Sequence, residues 1–360
     1  MNTTAVYLMR SNGSINTSEG SPFIYDYDNT STCYQETSQE LLAASMVLKA
    51  FYYLLFCLGL AGNTTVLWVL LWSIKLKTMP DVCLLNLALS DLLLVTSLPF
   101  WANSSQSVVS CKLITGIYQL GFYSGTLFVT LMSVDRYRAI VHATMQARTL
   151  RYGVTASATI WAISVIMAVP QVIFADLEVD AYDNSSQCQP LYPEDGQLFW
   201  KIQRNFSENT VGLFLCLPIM IFCYVKILAV LSKSRHSKKD KAVKLIFAIV
   251  CAFVVCWVPY NVTVFLQTLE LLKILNTCGA SRTIGSAVGF AEIIALSHCI
   301  ANPVIYAFVG EKFRKSVGGV CPRCFHGCHQ SRDKDFQYTC KVRLKMCQLC
   351  GDRECTCVSV

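Results

Sequence analysis

A few ionisable groups interrupt an otherwise apolar sequence, and their spacing limits the chemistry open to it. Asp91 ends the segment Asn86-Leu-Ala-Leu-Ser-Asp91, and Asp135-Arg136-Tyr137 closes a long apolar run. Glu292 stands ten residues ahead of Asn302-Pro303-Val304-Ile305-Tyr306. An acid inside an apolar stretch can hold a cation such as sodium with neighbouring amides and hydroxyls, with Asn63 and Asn302 at matching depth. It can also stay protonated, or be a lone structural acid. An adjacent Asp–Arg pair can serve as a latch that opens when the arginine turns to a partner; the alternative is an ordinary charged helix end. Proline inside a helix removes one backbone bond and kinks it. A lone proline in an apolar helix is usually structural. Pro259, beside Trp257, and Pro303, beside Asn302 and one turn from Tyr306, give two breaks with large polar-tipped neighbours, the pattern of a conformational switch. No nucleophile–base pair and no cofactor loop appears in the polar segments, so no enzyme is expected.

These groups need elements to carry them, and composition says which. Of 360 residues, 54% are apolar and 15% charged, against about 25% charged in a soluble chain. Too little charge is available to cover a soluble surface of this size, so much of that surface must face lipid. Collagen, coiled coil and wholly disordered chain are excluded. The net charge of +7 matters less than its distribution, and no nucleic-acid partner is expected. At roughly 20 residues per crossing, apolar runs fall near 45–72, 82–102, 108–138, 152–174, 208–231, 242–268 and 283–309. Lys49 in the first run belongs at the outer lipid interface. The expected fold is an all-α membrane protein: a seven-transmembrane helix bundle with a short amphipathic eighth helix. Residues 1–44 form an extracellular tail, 45–309 the bundle, 310–320 the membrane-surface helix and 321–360 a cysteine-rich cytoplasmic tail.

Orientation follows from basic residues in the short loops. Lys75, Lys77, Arg148, Arg151, Lys233, Arg235, Lys238, Lys239, Lys241 and Lys244 follow odd-numbered runs, and Lys312, Arg314 and Lys315 follow the seventh. The opposite side is acidic, with Glu19, Asp26, Asp28, Glu36 and Glu40 in the first 40 residues and Asp176, Glu178, Asp180, Asp183, Glu194 and Asp195 before the fifth run. The N-terminus is therefore outside. Sequons at Asn2, Asn12, Asn16, Asn29, Asn103, Asn184 and Asn205 fall on that outer side, whereas those at Asn63 and Asn261 lie within spans and are chance matches. Residues 1–40 contain no apolar h-region, so no cleaved signal peptide is expected and the first span directs insertion.

Nineteen cysteines divide into three populations. Cys33, Cys111, Cys188 and Cys278 lie outside, where thiols oxidise; an even set reads as two bridges with three possible pairings. Cys57, Cys83, Cys216, Cys223, Cys251, Cys256 and Cys299 lie within spans as small apolar packing residues. The rest crowd the cytoplasmic tail. Cys321, Cys324 and Cys328 follow the last span at the distance where acylation would pin an amphipathic helix to lipid. A zinc site is the rival, since Cys321-x2-Cys324 with His326 and His329 has ligand-like spacing. Cys347, Cys350, Cys355 and Cys357 receive no account.

Taken together, the motifs resemble a rhodopsin-type (class A) G-protein-coupled receptor: Gly62-Asn63, Leu87-Ala88-Leu89-Ser90-Asp91, Asp135-Arg136-Tyr137, Trp161, Cys256-Trp257-Val258-Pro259 and Asn302-Pro303-Val304-Ile305-Tyr306. Leu98-Pro99-Phe100-Trp101, Met132-Ser133-Val134, Ala139-Ile140-Val141-His142-Ala143, Glu292, Ser297-His298-Cys299 and the segment from Tyr306 through Glu311-Lys312-Phe313 narrow it to a chemokine receptor. Trp200-Lys201-Ile202, Asn205-Phe206 and Phe222-Cys223-Tyr224 resemble the CC branch most. The match covers about residues 33–316.

The resemblance implies a basic CC chemokine as ligand, suited to an acidic outer face. Sulfation at Tyr25 and Tyr27, in Tyr25-Asp26-Tyr27-Asp28, would strengthen electrostatic capture; an unmodified acidic tail is the alternative. It also implies the pairings Cys111–Cys188 and Cys33–Cys278, and a pocket for the ligand's amino end bordered by Tyr52, Trp101, Tyr118 and Glu292. Inside, it implies an inhibitory-class heterotrimeric G protein reached when Trp257 and the Pro259 kink swing the sixth helix and Arg136, Tyr224 and Tyr306 rearrange. Leukocyte chemotaxis and calcium signalling at the plasma membrane would follow.

Four departures bear on the carry-over. Arg138 replaces the usual leucine after the Asp-Arg-Tyr triplet, and Ser97 replaces a threonine while keeping the hydroxyl that bends the helix. Pro218 sits two residues later than the usual fifth-span proline, with Cys216 in its place. The tail has few serines and threonines (Ser316, Ser331, Thr339, Thr356, Ser359), which argues for weak arrestin recruitment. The rivals are a scavenging receptor without G-protein coupling, which Arg138 favours and the intact triplet opposes, and a transporter, which should show repeated halves or charges lining several spans.

Overall fold

The computed structural model describes residues 38–74, 78–103, 107–142, 150–179, 186–231, 240–275 and 278–309, with Leu76 and Phe313. Tyr25, Tyr27, Cys33, Asn2, Asn12, Asn16, Asn29, Asn184, Cys321, Cys324 and Cys328 lie outside the described residues, as do the expected surface helix over 310–320 (Phe313 apart) and the tail beyond it.

Among the described residues, seven helices are long and apolar enough to cross a membrane. The first is Ser38–Trp68, continued by a π-helical stretch Val69–Ile74. The second is Met79–Ala102, the third Val108–Ile140 and the fourth Leu150–Phe174. The fifth runs Gln197–Asn209, then a π-helical Thr210–Cys216, then Leu217–Leu231. The sixth is Asp240–Leu271, and the seventh comprises Cys278–Leu296 and His298–Val309 with a tight turn at Ser297. Between the fourth and fifth helices a hairpin pairs Ala175–Val179 antiparallel with Ser186–Pro190.

The bundle sorts its helices by what they face. The third is the least apolar of the seven and mostly buried, whereas the fifth is the most apolar and mostly turned outward. A helix surrounded by other helices has no need of lipid solubility and can carry hydroxyls and amides, whereas a peripheral one must present apolar side chains outward. Trp72, Phe290 and Phe308 are among the large side chains that do so.

Lipid tails are as apolar as leucine, so close approach and interhelical hydrogen bonds must hold such helices together. A Cβ on Gly121 would stand 2.8 Å from the Ser90 carbonyl oxygen, and one on Gly212 would stand 2.5 Å from Asn261 Oδ1. Only glycine lets the third helix meet the backbone of the second at that point, whereas at Gly212 a larger residue would have to displace the Asn261 side chain. Polar braces finish the seams. The Ser90 and Ser124 hydroxyls are 2.7 Å apart, Asn86 donates to Ser157 Oγ at 3.2 Å, and Trp161 Nε1 donates to Asn86 Oδ1 at 2.8 Å. Asn63 Nδ2 donates to the Cys299 carbonyl at 2.9 Å and so ties the first helix to the seventh. At the start of the second helix, the Thr78 amide and hydroxyl both donate to the Asp81 carboxylate, satisfying a helix end.

Three expectations are corrected by this architecture. The fifth helix begins at Gln197 rather than near residue 208, because its first segment is polar on the inside: Arg204, Asn205, Glu208 and Asn209 are buried. Asn205 is therefore no glycosylation acceptor, despite its sequon. Cys57 and Cys251 are exposed on the bundle's flank instead of packing inside it, while Cys83, Cys216, Cys223 and Cys299 are buried. Two local features of the second and fifth helices match the sequence. Ser97 Oγ bonds the Leu94 carbonyl at 2.7 Å beside Pro99. Pro218, which has no N–H to offer the turn before it, follows directly on the π-helical Thr210–Cys216.

Candidate functional site

Polar and aromatic residues gather in three tiers along the bundle axis. In the outer tier, the Cys111–Cys188 disulfide fixes the hairpin to the top of the third helix, with Cα atoms 5.4 Å apart. Beneath it, the rings of Trp101 and Tyr118 meet edge to face at 6.3 Å. Tyr52, Tyr118 and Glu292 are almost wholly buried, and the Glu292 carboxylate acts electrostatically on both tyrosines. The four residues that the sequence singled out, from the first, second, third and seventh helices, thus share one tier. Among the described residues, Glu292 Oε1 and Trp101 Nε1 have no hydrogen-bond partner. An orphaned carboxylate oxygen in a buried place is costly, and water or a cationic group would satisfy it. Cys33 lies outside the described residues, so the second bridge to Cys278 stays a proposal.

The sequence reading overlooked a second charged group in this tier. Arg204 and Glu208, one turn apart on the fifth helix, form an ion pair through Arg204 Nε and Glu208 Oε1 at 3.4 Å. Glu208 also accepts from Tyr260 Oη on the sixth helix at 3.1 Å and from Gln119 Nε2 on the third at 3.4 Å. The signal was present in the spacing: residues 204, 205, 208 and 209 fall on one face of a helix. An apolar-run criterion excludes the segment because its polar face turns inward.

The middle tier centres on Asp91. Asn302 Nδ2 donates to its Oδ2 at 2.7 Å, and His298 Nδ1 stands 3.7 Å from Oδ1. Asn63, expected beside it, instead donates to the Gly59 and Cys299 carbonyls; His298 was not foreseen. Hard cations ask for oxygen ligands. Here two nitrogens, from Asn302 and His298, approach the carboxylate, although among the described residues the Oδ1 atoms of Asn63 and Asn302 are unpartnered. The set does not fit a sodium ion well; it suits a carboxyl satisfied by the protein. Just above, Trp257 packs on Phe122 with centroids at 4.9 Å and meets Tyr260 and His298 at 6.0 and 6.4 Å. Pro259 lies within the same helix. Trp257 therefore contacts the third and seventh helices beside the break.

In the inner tier, Arg136 donates to Asp135 Oδ2 through Nη2 at 2.7 Å and Nε at 3.1 Å, with the acid buried. Tyr137 Oη is 3.0 Å from His142 Nε2. Among the described residues, the hydroxyls of Tyr224 and Tyr306 have no hydrogen-bond partner; their rings lean on Phe247 at 5.6 Å and Phe313 at 6.4 Å. Among these residues neither tyrosine is hydrogen-bonded to Arg136, and Asp135 alone holds the arginine.

Comparison with known proteins places this arrangement. Residues 62–306 match the family described as the 7 transmembrane receptor (rhodopsin family). The chain is 42% identical over 285 residues to human C-C chemokine receptor type 8, covering 76% of this chain and 79% of that protein. It is 41% identical over 313 residues to human C-C chemokine receptor type 4, covering 85% and 82%. Against mouse CX3C chemokine receptor 1 it is 41% identical over 309 residues, covering 84% and 85%. Such even identities mark a family and leave the subtype open, even though the segments at Trp200 and Phe222 look most like the type 8 receptor.

Proposed function

Because this chain belongs to the chemokine receptors of the rhodopsin family, a multi-pass plasma-membrane family of receptors and not of enzymes, we propose that it binds a basic CC chemokine outside and activates an inhibitory-class heterotrimeric G protein inside. The observation that carries the reading is Glu292: a buried carboxylate with an unpartnered oxygen, set among Tyr52, Trp101 and Tyr118 below the disulfide-held hairpin. A free α-ammonium or basic side chain at the ligand's amino end supplies the missing donor, and the aromatic rings enclose it.

The acidic outer face, with Tyr25 and Tyr27 as candidates for sulfation, would steer a basic protein toward the opening. Once seated, the ligand favours whichever bundle arrangement gives it more contacts, and only such differential affinity can shift the equilibrium. Trp257, packed against Phe122 and beside the Pro259 break, couples the outer tier to the sixth helix. Outward movement of that helix opens space at the inner face. Arg136 then exchanges Asp135 for the G protein, with Tyr224 and Tyr306 turning their unpartnered hydroxyls to the rearranged arginine or to water. Asn302 and Pro303 form the hinge in the seventh helix, held from the second by Asp91, and Tyr137 borders the docking face. Agonist and G protein each stabilise the open form and so strengthen each other. Chemotaxis and calcium release would be the cellular outputs.

The test is a panel of recombinant CC chemokines applied to cells expressing the chain, with cyclic AMP and calcium as readouts. A pertussis-toxin-sensitive fall in cyclic AMP with at least one member is expected. Binding without response from any member would instead identify a scavenging receptor, and no binding at all would remove the chemokine reading.

A further inference from the structure

We propose that Arg204, oriented by Glu208, is a specificity-determining residue that reads an acidic side chain in the ligand's entering segment. This rests on the chemokine reading and adds a second, oppositely charged seat to the one at Glu292.

The argument starts from how the pair is made. A guanidinium and a carboxylate at their best form two parallel short bonds. Here the hydrogen bond to Glu208 runs from Nε alone, at 3.4 Å, so the terminal nitrogens are not spent on it. Glu208 meanwhile has Tyr260 and Gln119 as further donors. The acid is thus held from three helices, while Arg204 gives it Nε alone. Arg204 lines a small cavity beneath the hairpin, together with Trp101, Gln119, Gln171 and Gln189. No acidic residue is among the described residues that line that cavity. Trp101 Nε1, an N–H donor without a partner, belongs to the same wall.

A cavity walled by a guanidinium, an indole N–H and amide groups is receptive to an anion, and a carboxylate matches the planar fork. Arg204 and Glu208 also act electrostatically on Glu292, so the two seats belong to one charge pattern: a carboxylate for a cation at Glu292, a guanidinium for an anion under the hairpin. A ligand segment carrying both signs in the right order fits. One with only basic groups meets Arg204 as a like charge, which discriminates against it.

The experiment uses the members of the CC chemokine panel that evoke a response. Each is tested intact and with every Asp and Glu ahead of its folded part changed to the amide, on wild type and on Arg204→Gln at matched surface levels. The responders are expected to carry an acid in that segment. Arg204→Gln should lower the potency of the intact ligand about tenfold and that of its amide form less than twofold. Equal losses on both forms, no loss on either, or responders without an acid there overturn the proposal. If Arg204→Gln does not reach the surface, the double variant Arg204→Met/Glu208→Met replaces it, because removing both charges leaves neither unpaired. A double variant that keeps the wild-type preference, or that also fails to reach the surface, overturns it too. A wild-type chain silent to the whole panel would instead sink the chemokine reading itself.

Discussion

Two arginine–carboxylate pairs sit at opposite ends of this bundle, and they are built differently. At the inner end, Arg136 and Asp135 are adjacent in sequence and joined by two bonds of 2.7 and 3.1 Å to one oxygen. At the outer end, Arg204 and Glu208 meet through one contact of 3.4 Å, and the acid is shared with the third and sixth helices. The inner pair is self-contained: opening it disturbs no other helix, which suits a latch released by a distant movement. The outer pair is a junction of three helices, so whatever draws on Arg204 also acts on Tyr260, next to Pro259. A loose pair that spans helices is the better place to sense a ligand, and a tight local one the better place to withhold a response.

The largest effect should come from breaking the outer junction on one side. Glu208→Ala leaves the buried Arg204 charge and the donors of Tyr260 and Gln119 uncompensated, a loss of about 3–5 kcal/mol for a buried pair. Surface expression should collapse, and the thermal midpoint of detergent-solubilised protein should fall steeply. Arg204→Met/Glu208→Met should recover most of both. If Glu208→Ala behaves like wild type, the junction is open to water and the contrast drawn above is wrong.

The inner pair predicts the opposite dissociation. Arg136→Ala removes a group that makes its bonds locally, so folding and chemokine binding should survive while G-protein activation falls ~100-fold, near the upper end of ordinary allosteric coupling. Nucleotide exchange on purified G protein, read beside radioligand binding, checks it; a parallel loss of binding would mean that the pair is structural. A smaller effect is expected at the other outer carboxylate. Glu292→Gln keeps the shape but not the charge, and should reduce agonist potency about tenfold with surface expression near wild type. If potency and expression fall together, Glu292 serves packing rather than the ligand.

Much of this contrast was readable in the sequence, but unevenly. Long apolar runs located six helices closely, and the triplet Asp135-Arg136-Tyr137 announced the inner pair because its members are neighbours in the chain. The outer pair escaped because hydropathy assumes that a membrane helix must be apolar. Gln197–Asn209 turns Arg204, Asn205, Glu208 and Asn209 away from lipid, so burial against other helices overrides the rule. His298 near Asp91 was hidden for a similar reason: it reads as part of Ser297-His298-Cys299, and its approach to the acid depends on how the seventh helix meets the second. Asn63 shows the reverse error. Depth matched it to Asp91, yet its amide found the Cys299 carbonyl, because depth fixes height along the bundle and not direction around a helix.

The smallest predicted effect serves as the control for both pairs. Trp161 donates its indole N–H to Asn86 Oδ1 at 2.8 Å, and Asn86 donates in turn to Ser157. This brace joins the second and fourth helices, neither of which carries an arginine of either pair. Trp161→Phe keeps most of the ring contact with Phe128 but orphans the amide oxygen, at a cost of about 1–3 kcal/mol. The thermal midpoint should drop by a few degrees, roughly what such a loss gives in a protein of this size, while agonist potency and basal exchange stay at wild-type values. A static seam should change stability alone. A shift in basal exchange with Trp161→Phe would show that the second and fourth helices also move between the two arrangements, and that the switch is not confined to the helices carrying the charged pairs and the proline breaks.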